Sequence, residues 1–195
     1  MKFHDEYRKY RWFFTSDSKL VIGGKSAEQN DSLLKELKSL DKDFILMHTA
    51  QPGSPFAVII SPIENIIPSD IEECAIFTAC FSKAWKENKK QAKVDVFKLS
   101  QIYKSKDMKV GTWGVIGKID QKIVPLKLAL TRQKNVLRAV PLESLGGKKP
   151  ITLLCPGKII KDELVPKLQI ELHEKFKAEE LLSAIPSGGF KIFRQ

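Results

Sequence analysis

The sequence predicts an α+β protein: a mixed, largely antiparallel sheet with packed helices, followed by a small C-terminal α/β extension. Three observations carry that expectation. Short apolar runs separated by turn compositions occur twice in the first sixty residues, as hairpins require. Two segments between and after them repeat apolar residues at three- and four-residue steps behind helix-start signals. Loops rich in Gly, Pro and Ser let successive strands fold back on one another.

Taken in order, residues 1–9 are a polar, ordered lead-in or a short arm. Arg11 to Thr15 and Lys19 to Ile22 are strands joined by Ser16-Asp17-Ser18. Trp12 and Phe13 alternate faces, so only one of them is expected to be buried. After Gly23-Gly24, Ser26 and Gln29 form a capping box, and Leu33, Leu34 and Leu37 supply the buried stripe of a helix. Phe44 to His48 and Phe56 to Ser61 read as an antiparallel pair with Gln51-Pro52-Gly53-Ser54-Pro55 at its tip. Ser69 caps the longest helix, with Glu72 closing a second box. Cys74, Phe77, Phe81, Ala84 and Trp85 mark its apolar face, and Lys83, Lys86, Lys89 and Lys90 crowd its last turns, where cations complement the helix dipole. Trp85 lies on that stripe and is expected in the core.

Val94 to Tyr103 reads as a strand, with a helix as the alternative, Lys104 to Lys109 is a basic loop, and Val110 to Lys118 a strand with glycines. Asp120 to Lys122 reads as a turn and Ile123 to Leu130 as a returning strand. The expected division is a domain of residues 1–131 and an extension of residues 132–195. In the extension, Val136 to Leu142 and Ile151 to Leu154 are strands around Gly146 to Lys149. Asp162 to Phe176 and Lys177 to Ile185 are helices, and Phe190 to Phe193 is a last strand.

A chain of 195 residues with 43% hydrophobic and 29% charged residues is ordinary for a globular protein. No run approaches the roughly 18 apolar residues that span a bilayer, and the polar, acidic start is unlike a secretory signal. A cytoplasmic protein without a membrane partner is expected. The three cysteines, Cys74, Cys80 and Cys155, form no C-x-x-C pair, and core packing accounts for the first two. No metal is expected.

Net charge is +10, and its distribution says more than its size. From Lys83 to Arg138 there are 15 Lys and Arg against 4 Asp and Glu; the remaining residues nearly balance. A segregated positive field attracts polyanions. The alternative is a lysine-rich solvated surface.

Several segments resemble one family. Trp12-Phe13, Ser16-Asp17, Leu20-Val21-Ile22-Gly23-Gly24 and Gln29-Asn30-Asp31 are similar to the opening of the NFACT family's RNA-binding domain. Asp43 to His48 resembles its Asp-x-x-hydrophobic-His strand. Ile67 to Phe77 resembles its Pro-x-x-x-x-Glu-Glu-Ala-Ala helix entry, and Phe81-Ser82-Lys83-Ala84-Trp85 its Tyr-Ser-Lys-Ala-Trp core. Gly111 to Lys118 is similar to its Gly-Ser-Phe-x-Ile-x-Gly-Lys strand. The matches run in order over residues 10–131. The loop of residues 51–55 keeps the glycine, serine and proline of the family pattern but not their arrangement. The resemblance implies an RNA-binding module, with tRNA, rRNA and the large ribosomal subunit as the usual setting.

No catalytic motif is present: there is no G-x-S-x-G, P-loop or H-E-x-x-H, and none of His4, His48 and His173 sits in an acid–base or metal pattern. No cofactor is expected. Gly23 to Ser26 suits either one phosphate at a helix start or a plain turn and cap. RNA recognition asks for cations along the backbone and flat side chains for unstacked bases. Candidates for RNA contact are Arg11, Lys19, Lys25, His48, Lys83, Lys86, Lys104, Lys106, Lys109, Trp113 and Lys118, with Tyr103 a further flat ring. For Trp113, stacking and packing stand even.

The expected function is non-catalytic binding of tRNA or the large ribosomal subunit in ribosome quality control or translation. The rivals are a duplex DNA binder using the same patch, an RNA-acting enzyme centred on His48, and a protein adaptor using the extension.

Overall fold

The computed structural model describes residues 2–172 and 177–193. His173 and the end of the helix expected to reach Phe176 lie outside them. A short helix, α1 (Lys2–Glu6), leads into β1 (Arg11–Phe14) and β2 (Leu20–Gly23), paired antiparallel with Phe14 opposite Leu20 and Arg11 opposite Gly23. α2 (Ala27–Lys38), β3 (Ile45–Thr49) and β4 (Ala57–Ile60) follow. β3 and β4 pair antiparallel, with Met47 opposite Ala57 beside the proline-glycine loop, as the sequence leads one to expect.

α3 (Pro68–Cys80) starts differently from expectation. Its N-cap is Ile67, not Ser69. Pro68 at the first helical position needs no N–H partner, and Asp70 accepts from the Ile67 N–H at 3.1 Å. Glu72 is left for Lys122, 3.0 Å away. The helix also stops early. Ser82 donates its hydroxyl to Ala79 O at 2.6 Å and accepts from Ala84 N at 3.1 Å, ending α3 and capping the one-turn α4 (Lys83–Lys86). Asn88, at φ 56°, turns the chain away, so Lys89 and Lys90 do not extend a helix.

β5 (Gln91–Lys98) is shorter than the expected strand, and β6 (Ile102–Tyr103) follows after one 3-10 turn. Of the glycine-rich segment 110–118, only β7 (Gly114–Val115) is strand, paired with β6. Asp120 to Lys122 is not a turn but the start of β8 (Asp120–Pro125), which pairs with β5. β5 and β8 complete a six-stranded antiparallel sheet in the order β1-β2-β4-β3-β5-β8, while β6 and β7 form a separate two-stranded one.

At Leu126-Lys127 the chain leaves this sheet. β9 (Leu128–Gln133), β10 (Val136–Val140), β11 (Thr152–Ile159) and β12 (Phe190–Phe193) form a second antiparallel sheet in the order β10-β9-β11-β12. The single strand expected over residues 123–130 is therefore two strands in two sheets, and residue 131 falls inside β9. Lys134 and Asn135, at φ 49° and 61°, make the tight β9–β10 turn. α5 (Lys161–Leu172) and α6 (Ala178–Ala184) belong to this part.

Both faces of the first sheet are covered, so Trp12 and Phe13 are both buried, at 1% and 0% exposure. Trp12 packs with Leu33, Leu34 and Leu37 of α2. Phe13 packs with Phe77 of α3 in a cluster that continues to Leu128, Leu154 and Phe190 of the second sheet. The side chain of Gln133 replaces a strand neighbour on the outer edge of β1, bonding both Phe14 N and Phe14 O at 2.8 Å. Trp85 is buried as its spacing requires, and its indole N–H donates to Gly189 O at 3.0 Å. Cys74 and Cys80 are buried, and burial pushes both thiols up. Among the described residues no helix is long and apolar enough to cross a membrane.

Candidate nucleic-acid interface

β1 begins, β2 and β3 end, and β4 begins at the same end of the six-stranded sheet, because each pair is antiparallel. The segments beyond those strand ends surround a cleft of about 790 Å³. Arg11 enters it from the first residue of β1, Lys25 from the turn after β2, and Lys83 and Lys86 from α4. The break in the helix at Phe81-Ser82 sets those last two there. His48 and the loop of residues 52–55 form another part of the wall, and Trp113 and Val115 also line the cleft.

The wall is built from several fixed contacts. Thr49 N donates to Ser54 Oγ at 2.9 Å, and Thr49 Oγ1 to Gln51 O at 2.6 Å. Lys83 N donates to Gly53 O at 2.8 Å, tying the loop to α4. Gly53 has φ 110°, and a Cβ there would stand 3.1 Å from Lys83 Cβ, so both conformation and space favour glycine. His48 rests against Phe56, with ring centroids 4.6 Å apart. Its Nδ1 lies 2.7 Å from Thr49 O, so that nitrogen carries the proton and donates. Burial lowers the imidazole pKa, leaving a flat neutral ring at neutral pH rather than a cation.

The basic side chains are crowded. The Arg11 guanidinium lies 5.0 Å over the Phe81 ring, and Arg138 lies 4.5 Å over Trp12. Desolvation, then Arg138 and Arg11, push Lys25 down. Burial, then Arg11 and Lys86, do the same to Lys161. Among the described residues Arg11, Lys25, Lys86 and Lys161 have no carboxylate partner, while Lys83 sits 3.9 Å from Glu87. Crowded cations without counter-charges favour an anion. Arg138 and Lys161 do not line the cleft, but they act electrostatically with its cations, and sequence reasoning singled out neither. Arg138 lay unremarked in the basic segment, and nothing local marks Lys161, at the start of α5.

Six of the eleven candidates thus line one cleft: Arg11, Lys25, His48, Lys83, Lys86 and Trp113. The others do not. Lys19 sits at the turn end of the first hairpin, away from the cleft, 3.1 Å from Asp17. Lys106, Lys109 and Lys118 are exposed on or beyond the loop that follows β6. Lys104 is structural. Its ammonium lies 3.1 Å from Asp31 and donates to Lys109 O at 2.7 Å and Thr112 O at 2.9 Å. The Gly23–Ser26 turn resolves towards a cap. Lys25 N donates to Gln29 Oε1 at 2.8 Å, and Gln29 N to Ser26 Oγ at 3.2 Å.

Trp113 packs rather than stacks: it is 9% exposed, and its indole N–H donates to Asp31 Oδ1 at 2.8 Å. Tyr103 is the flat ring left to solvent, at 44% exposure, lying over Gly114. Asp31 also accepts from Gly111 N at 3.0 Å, and so holds the whole 104–113 segment against α2. Burial alone would raise its carboxyl, but donation from Trp113, Lys104 and Gly111 outweighs that and lowers it. Asp31→Ala is expected to cost about 2 kcal/mol, several degrees in Tm, through the orphaned indole, ammonium and amide. A carboxylate lowered in the folded state stabilises above its unfolded pKa and ceases to as pH falls through the folded value. The gap between wild type and variant in thermal melts should therefore narrow on acidification below about pH 4.

The model of the NFACT protein RNA binding domain matches residues 9–117. The archaeal Rqc2 homolog aRqcH of Methanocaldococcus jannaschii is 28% identical over an alignment covering 97% of this chain and 29% of its own. Ribosome quality control complex subunit NEMF of Homo sapiens is 32% identical over 40% of this chain and 7% of its own. The chain therefore spans less than a third of either relative. Among solved structures, the C-terminal part of the fibronectin/fibrinogen-binding protein from Streptococcus suis shares the fold, with a TM-score of 0.53 at 22% identity over 60% of this chain and 45% of that one.

Proposed function

The chain belongs to the family of NFACT protein RNA-binding domains, and from that premise we propose that it binds structured RNA, tRNA or the rRNA of the large ribosomal subunit, in ribosome quality control or translation. It acts by binding, without catalysis. The observation that carries this reading is the cleft, where Arg11, Lys25, Lys83 and Lys86 converge from three separate elements. Phosphates would meet those cations, and Arg138 and Lys161 would raise the local field. The printed names of the relatives, an Rqc2 homolog and a ribosome quality control subunit, supply the setting.

Filter binding with tRNA, isolated ribosomal subunits and duplex DNA of matched length tests this. Tight, salt-sensitive retention of tRNA or the large subunit over DNA is the expected result; equal retention of DNA would favour a general polyanion binder. Lys106→Glu/Lys109→Glu serves as the contrast. Both side chains are exposed and outside the cleft, so the affinity of this variant for tRNA is expected to fall no more than about threefold, through the long-range field alone.

A further inference from the structure

We propose that the cleft receives an unpaired RNA segment, with its backbone along Arg11, Lys25 and Lys86 and a base against the His48–Phe56 ring pair. The proposal rests on the RNA-binding reading above and specifies which part of the RNA enters. Size is the first reason. At about 790 Å³ the cleft falls in the range of roughly 300–1,000 Å³ that encloses small molecules. One or two nucleotides fit such a space, whereas a paired helix offers it only a passing backbone.

The second reason is that its walls differ in chemistry. Part of the lining carries the cations. Another part carries His48 on Phe56, with Phe97 edge-on to Phe56 at 6.3 Å. Unstacked bases are held by flat side chains of this kind, and the preference is tolerant of sequence because every base has a π-face. The His48 ring is fixed by its bond to Thr49 O and kept neutral by burial, so it offers a surface rather than a charge. The third reason is rigidity. The loop behind the ring is tied at Thr49, Ser54 and Gly53, so the site exists before the RNA arrives and little ordering is needed on binding.

The test compares one RNA hairpin with a four-nucleotide single-stranded 3′ extension against the same hairpin with a blunt end, by fluorescence anisotropy at fixed salt. Wild type is expected to bind the extended hairpin at least about tenfold more tightly. His48→Ala should bring that ratio close to one, and His48→Phe, which keeps a flat neutral ring, should restore it. Lys86→Ala, at an exposed position that threatens no packing, should also reduce the ratio. Equal wild-type affinity for both hairpins, with both still lost on reversal of the cleft lysines, would overturn this inference and leave the RNA-binding reading standing. Failure to bind either hairpin at moderate salt would overturn both.

Discussion

Lys25→Glu/Lys83→Glu/Lys86→Glu is expected to lose about 100-fold in affinity for tRNA at 100 mM salt with an unchanged melting temperature. All three side chains are exposed, and among the described residues only Lys83 has an ion-pair partner, Glu87 at 3.9 Å, so their loss removes almost no native contact. Exposed substitutions of this kind usually shift stability by no more than about 0.5 kcal/mol. The affinity change comes from two effects. Three counter-ion releases are forfeited, and three negative charges are placed beside Arg11 and Lys161, where they neutralise the remaining field. The same substitutions are expected to spare folding because the bond from Lys83 that holds the wall, Lys83 N to Gly53 O, is made by the backbone and not by the side chain.

The largest stability effect is expected at the opposite end of the first hairpin. Asp70 and Glu73 of α3 are both fully buried, at 0% exposure. Asp70 accepts from Thr15 Oγ1 and from Ile67 N, and Glu73 accepts from Ser16 N at 2.9 Å and from the Ser16 hydroxyl. Thr15 Oγ1 in turn accepts from Lys19 N at 3.0 Å, so the two carboxylates lock the hairpin turn onto the helix. Asp70→Ala orphans a buried hydroxyl and the N-cap amide together. A loss of about 3 kcal/mol is expected, equivalent to roughly 6–12 °C in Tm for a chain of this size. Asp70→Asn, which keeps one acceptor oxygen, should lose less. Below its melting point Asp70→Ala should still bind tRNA, because Arg11 leaves the hairpin at its other end. Thermal unfolding by circular dichroism together with filter binding checks both halves.

Much of the fold was legible because its signals are local. Ser26 and Gln29 sit three residues apart and meet across one helical turn; the Pro-Gly loop needed only its own composition to join β3 and β4. The misreadings needed tertiary information. Trp12 and Phe13 follow the alternation that usually means one wet face, but α2 and α3 cover both faces of the sheet. Asp120 to Lys122 has turn composition and is nevertheless held extended by pairing with Val94 to Val96. The helical period carried past Cys80 because Ala84 and Trp85 happen to remain buried after the break. The site was half legible for the same reason. A charge count finds a basic segment, yet it cannot separate Lys104, spent on Asp31, from Lys86, which lines the cleft and has no carboxylate partner among the described residues. Nor can it bring Lys161 to Arg11, which lie far apart along the chain and interact only in the folded structure.

The most direct test of the cleft as the RNA-binding surface is the slope of log K against log salt for tRNA, measured for wild type and for Lys25→Glu/Lys83→Glu/Lys86→Glu. A steep negative wild-type slope that the variant flattens by about 2 to 3, close to one phosphate contact for each lysine, is the expected result. The same slope and affinity in both proteins would place the RNA elsewhere on the surface and contradict the role given to the cleft.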